Sequence, residues 1–265
     1  MNIATTILAT SNPLDHVVQH ELFTLTRIGS VDITIANHTL MILVAGILMA
    51  VTFYFVGKQR TIVPTGLRNF FESICVYLRE DLARPFLGDA TDRFIPLIWN
   101  TFFFILFVNL LGMIPIDGFG FGLYSHIGGT ATANIWVTGA LAAMAFVMIH
   151  VSGIREQGIW KYIVTFIPHV PWPLIPLMYV LEIAGAIIKP CALAIRLFAN
   201  MVAGHTILAA LVGLGIASGN LLIGGVVVAG CALFSLLELL VAVIQAYIFT
   251  FLMTMFIGAA MHPDH

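Results

Sequence analysis

Apolar runs of membrane-spanning length, separated by short polar stretches, set the pattern of this chain. A span needs about 20 mostly apolar residues. Three runs meet that length: roughly 35–56, 94–115 and 132–151. Two longer ones follow at about 172–215 and 221–260. Between the first two spans lies a different pattern. Leu67, Phe70, Phe71, Ile74, Leu78 and Leu82 recur at helical spacing, with Arg68, Glu72, Arg79, Glu80 and Arg84 mostly elsewhere on the wheel. This periodicity predicts an amphipathic helix at about 64–86 lying on the membrane surface. Residues 1–34 are read as an N-terminal segment outside the membrane.

The last two runs are too long for upright spans. About 44 and 40 residues at ~1.5 Å each give roughly 66 and 60 Å of helix, against a hydrocarbon core of ~30 Å. Splitting each run would need polar turns, and Pro190 alone interrupts the first. Two long, steeply tilted helices joined at "GIASGN" are therefore expected. Their tilt would exceed the usual ~20°, so something other than lipid should face one side. The expected fold is all-α and integral to the membrane, with five crossings and one interfacial helix in a single membrane domain.

Composition agrees with this pattern. The chain is 60% hydrophobic and 9% charged, where soluble domains carry about 25% charged residues. A net charge of −2 gives no electrostatic case for nucleic acid. Cys75, Cys191 and Cys231 fit neither a zinc spacing nor a disulfide framework. No cofactor or metal is expected. His16 and His20, His150, His169 and the terminal "HPDH" read as solvated or interfacial polar residues. The N-terminus shows no cleavable signal pattern, and Met1 reads as a native start.

Charge placement orients the spans. Before the first lies one basic residue, Arg27; after it come Lys58, Arg60, Arg68, Arg79, Arg84 and Arg93. The loop at 116–131 has none, and that at 152–171 has Arg155 and Lys161. The positive-inside rule then predicts the N-terminus outside and the C-terminus inside.

Beyond Lys161 the charged residues are Glu182, Lys189, Arg196, Glu238 and Asp264. A mid-bilayer charge costs at least ~2.5 kcal/mol, so such residues mark ion paths by default. Glu182, Lys189 and Arg196 are spaced by seven and share a stripe, which Asn200 continues one turn on. Glu238 and Gln245 share a face of the last helix. Folding the two long helices antiparallel about position 218 sets Arg196 level with about 240, bracketed by Glu238 and Gln245. His205 and Glu238 then lie outward, Arg196 centrally and Glu182 inward. His and Glu exchange protons when suitably placed, whereas Arg keeps its charge. A fixed cation between titratable groups blocks a continuous proton wire, so protons would pass it on a movable carrier. Gly185, Ala186, Ala192, Ala199, Ala203 and Gly204 would let another helix approach, or serve packing within the chain.

"KPCALAIRLFANMVAGHTIL" closely resembles the signature of subunit a of F-type ATP synthases. "FIPLIWNTFFFILFVNLLGMIP", "GLRNFFE" and the Glu238…Gln245 pair of "LLELLVAVIQAYIF" resemble it too, over nearly the whole chain. The resemblance implies a stator against which a ring of c subunits rotates, with b subunits and other Fo subunits as further partners. It implies two offset half-channels for protons and no covalent chemistry by this chain. Arg196 matches the family's essential arginine, the partner of the ring carboxylate and the barrier between channels. Asn200, His205, Glu238 and Gln245 match outer half-channel positions and Glu182 an inner one, with Lys189 a further inner candidate. The histidine and glutamate are interchanged relative to some bacterial members. Two other classes remain to be weighed. An ion-coupled secondary transporter would carry an internal repeat, and a proton-pumping respiratory subunit would spread its charges over successive spans.

Overall fold

The computed structural model describes residues 21–28, 31–58, 65–114, 131–165 and 171–261. Its elements, in chain order, are strands β1 (Glu21–Ile28) and β2 (Val31–Ala36), then helices α1 (Asn37–Lys58), α2 (Leu67–Tyr77), α3 (Arg84–Leu87), α4 (Thr91–Gly112), α5 (Ile135–Gln157), α6 (Ile159–Thr165), α7 (Ile175–Ser218) and α8 (Leu221–Met261). Among the described residues, five helical runs are long and apolar enough to cross a membrane: Asn37–Lys58, Leu67–Gly112, Ile135–Gln157, Ile175–Ser218 and Leu221–Met261. The all-α membrane fold read from the sequence is the fold observed. The strands are an addition: an antiparallel pair confined to the segment before α1. Their "TLTRI" and "VDITIA" alternate and are rich in β-branched residues, as a hairpin requires.

Gly88 divides the second run. Its φ of 51° lies in the left-handed region, which glycine enters without a Cβ penalty. Upstream, a π-helical turn spans Leu78–Ala83. Pro85 lies just beyond it; it has no N–H to offer the carbonyl four residues back, and its ring crowds that turn. The apolar stripe of this segment has two fates. Leu78, Leu82, Ala83 and Leu87 are buried in the protein, whereas Leu67 is 74% and Phe70 58% exposed.

Both long helices run unbroken, and Pro190 sits inside α7. The link between them is a compact cap-to-cap turn. Gly219 takes φ 58°, Ser218 Oγ donates to the Gly215 carbonyl at 2.8 Å, and Asn220 Oδ1 accepts from the Leu222 N–H at 2.9 Å. Gly at the end of one helix and Asn at the start of the next are the preferred capping residues.

The chain forms two compact units. One comprises described residues within Met1–Leu48, Ile105–Thr138 and Arg196–Gln245. In it, Ala133, Met201 and Ala242 form a buried cluster with Met113 and Val202 packed on it. The other comprises described residues within Met49–Phe104, Gly139–Ile195 and Ala246–His265. Its core includes the rings of Phe53, Phe71 and Phe103, with centroids 4.7–5.8 Å apart. There Gly258 meets the Phe86 backbone so closely that a Cβ would lie 2.5 Å from the carbonyl oxygen.

Candidate functional site

The register of α7 against α8 is set by three neighbours in the first unit. Gly215 lies against Val227, His205 faces Glu238, and Met201 clusters with Ala242. The helices thus reverse about position 221, not 218. The capped turn at Gly219 and Asn220 ends α7 later than the sequence reading assumed. His205 and Glu238 are therefore level, and Arg196 lies within a turn of the level of Gln245 rather than midway between Glu238 and Gln245.

Glu238 is the most enclosed charged group of the set, at 6% exposure. Its Oε1 lies 3.8 Å from His205 Nε2. The fit depends on Gly204, where a Cβ would come within 2.6 Å of that same oxygen. Glu238, Ala242 and Gln245 are all buried and fall at helical spacing on one face of α8. Among the described residues, Gln245 Nε2 and Glu238 Oε1 make no hydrogen bond. Buried polar atoms are nearly always paired, directly or through water.

Asn109 and Thr132 add to this set, and sequence reasoning missed both. They are fully buried; Thr132 Oγ1 donates to Asn109 Oδ1 at 3.0 Å, and Asn109 Nδ2 has no hydrogen-bond partner among the described residues. Thr132 adjoins Ala133, which packs with Met201 and Ala242, within a turn of Glu238 and Gln245 along α8. The available signal was an asparagine in the apolar run "FILFVNLLG".

Arg196 is on a different face. It is exposed, as are Ala192, Ala199 and Ala203, which share its stripe. Leu193, Ala194, Leu197 and Met201 form the buried stripe of α7. Among the described residues Arg196 makes no ion pair, and Glu238 faces His205 instead. Arg196 and Glu238 are therefore not paired with each other. Asn200, one turn from Arg196, is half-buried, as is Glu182. Lys189 is exposed, and its Nζ lies 5.2 Å from the Phe256 ring centroid. This is a cation–π contact.

The family model described as "ATP synthase A chain" matches residues 39–258. The chain belongs to that family. Similar proteins, each named ATP synthase subunit a, include one from Anaeromyxobacter dehalogenans (strain 2CP-C), 39% identical over 245 residues, 90% of this chain and 61% of that protein. One from Chloroherpeton thalassium is 38% identical over 249 residues, 90% of this chain and 70% of that protein. One from Myxococcus xanthus is 38% identical over 247 residues, 89% and 78% of the two chains. The chain spans about three fifths of the length of the Anaeromyxobacter relatives. The ATP synthase A chain match runs from α1 into α8, enclosing Asn109, Thr132 and every site residue read from the sequence.

Proposed function

We propose that this chain is the proton-conducting stator subunit of a rotary ATP synthase, in an energy-coupling membrane. One observation carries the reading: a guanidinium exposed in the middle of an alanine stripe, on a helix made for a membrane. Lipid would penalise Arg196 heavily. A partner helix carrying a carboxylate would not, and the flanking Ala192, Ala199 and Ala203 let it approach. The c-subunit ring is that partner, and α7 and α8 lie tilted along it. b subunits and other Fo subunits complete the assembly. Orientation follows the basic loops, with the N-terminus outside and the C-terminus inside, most simply in a bacterial inner membrane.

His205 and Glu238 exchange protons with the outer side, and Gln245, Asn200, Asn109 and Thr132 line their route. Water bridging the unpaired amides would carry the proton to the ring carboxylate. Glu182 serves the inner route. Arg196 holds the incoming deprotonated carboxylate by its charge and repels a proton crossing directly between routes. The proton therefore traverses the membrane only with ring rotation. The amphipathic segment at Leu67–Tyr77 lies at the bilayer surface on its exposed Leu67 and Phe70.

The test is ATP-driven acidification of vesicles containing the assembled complex. Arg196→Ala should abolish it while the complex still assembles. Acidification at the wild-type rate would overturn the reading.

A further inference from the structure

A cavity apart from the α7–α8 polar set has no role in this scheme. It measures about 420 Å³, within the ~300–1,000 Å³ range of small-molecule sites. Val147, His150 and Ile154 of α5, Tyr162 and Ile163 of α6 and Tyr179 of α7 are among its lining residues. His150 Nδ1 and Tyr162 Oη are 2.6 Å apart and hydrogen-bonded. Tyr162 is also seated on the α5 backbone at Gly153, where a Cβ would collide with its ring. The wall is thus fixed in place by specific contacts.

Its chemistry selects the occupant. Most of the wall is hydrocarbon, and its ring-nitrogen and phenol groups are partly engaged with each other. α6 presents membrane-interface character: Ile159, Trp160, Ile163 and Val164 are 58%, 81%, 52% and 72% exposed, and Lys161 lies among them. Tryptophan and tyrosine collect at that depth. On α5, Arg155 is exposed one turn beyond Val151, which also lines the cavity. The adjacent acid, Glu156, faces Arg93 at 3.6 Å. Glu182 lies one turn beyond Tyr179, on the side away from the start of α7.

We propose that this cavity binds an acyl chain of an anionic phospholipid whose phosphate is held by Arg155 and Lys161. Basic residues at the edge of a span attract anionic headgroups, and the apolar wall takes the chain. Charge complementarity favours an acidic lipid over a zwitterionic one. The site would lock α5, α6 and the start of α7 together at the membrane edge.

The experiment uses the assembled complex and phosphatidylglycerol or phosphatidylcholine carrying a photoreactive group on the acyl chain. Phosphatidylglycerol should label peptides containing Val147 or Ile163. Arg155→Gln with Lys161→Gln should lower that labelling by about fivefold or more, since each basic residue at a membrane surface adds roughly that factor. Val147→Trp, and separately Ile163→Trp, should remove it by filling the space; both native side chains are more than half exposed, 53% and 52%. Equal labelling by the two lipids would overturn the headgroup assignment. Labelling that persists in both tryptophan variants, or no labelling by either lipid, would overturn the site itself.

Discussion

Arg196 and Glu238 are both charged residues on long apolar helices, yet their surroundings are opposite. Glu238 is enclosed by its own chain, facing His205 and pressed against Gly204. Arg196 is exposed, with alanines on either side and no ion-pair partner among the described residues. Among the described residues, the chain thus surrounds its carboxylate but not its guanidinium. Under the proposed function, that difference separates a group working within the subunit from one working across an interface.

The hardest blow to this contrast falls on the exposed stripe. Ala199→Trp puts a large ring beside Arg196 on a face left exposed by the described residues. The subunit should be made and inserted at normal levels, because no packing among the described residues is touched. Coupled proton pumping should fall by tenfold or more, the equivalent of ~1.4 kcal/mol or more in barrier. Wild-type pumping would mean that lipid, not a close-packed helix, covers the stripe.

On the enclosed side, Glu238→Gln keeps shape and volume but removes the carboxylate. Proton flux through the assembled complex should slow about tenfold, below the roughly 10²–10⁴-fold usual for loss of a positioned proton-transfer group because water can replace it. His205→Ala should act in the same direction, and the double variant should be no worse than the slower single one. Additive losses would show that the two residues serve separate steps despite their 3.8 Å approach.

How much of this was legible in the sequence depended on the kind of signal. The spans were readable because apolar length is a local property. Arg196, Glu238 and their companions stood out because charge in an apolar run is conspicuous. The α7–α8 register was not, because it turns on where the capped turn at Gly219 and Asn220 falls, and apolar periodicity says little about turns. Asn109 and Thr132 escaped notice because their meaning comes from meeting each other, 23 positions apart. The two fates of the amphipathic stripe were likewise hidden. Leu67 and Leu78 look alike on a helical wheel, and tertiary packing decides which is buried.

Close-approach glycines extend the comparison to stability. Gly258 abuts the Phe86 backbone carbonyl, which cannot swing aside. Gly258→Ala should therefore cost ~1–3 kcal/mol, the usual penalty for overpacking, read as a lower midpoint for loss of the assembled complex on heating. An unchanged midpoint would mean that α3 and α8 are less rigidly apposed than their geometry implies.

Gly204→Ala is the smallest change and isolates function from folding. The atom it meets is the far end of a flexible side chain, the Glu238 carboxylate oxygen. That carboxylate can rotate away, so stability should hardly move. Rotation would, however, alter its distance to His205. Proton flux should fall by about threefold, a barrier change of ~0.6 kcal/mol, comparable to RT. The decisive comparison is with the Glu238→Gln background. There the carboxylate charge is already gone, so adding Gly204→Ala should have little further effect on flux. A further threefold loss would show that Gly204 acts through packing of α7 rather than through the position of the carboxylate.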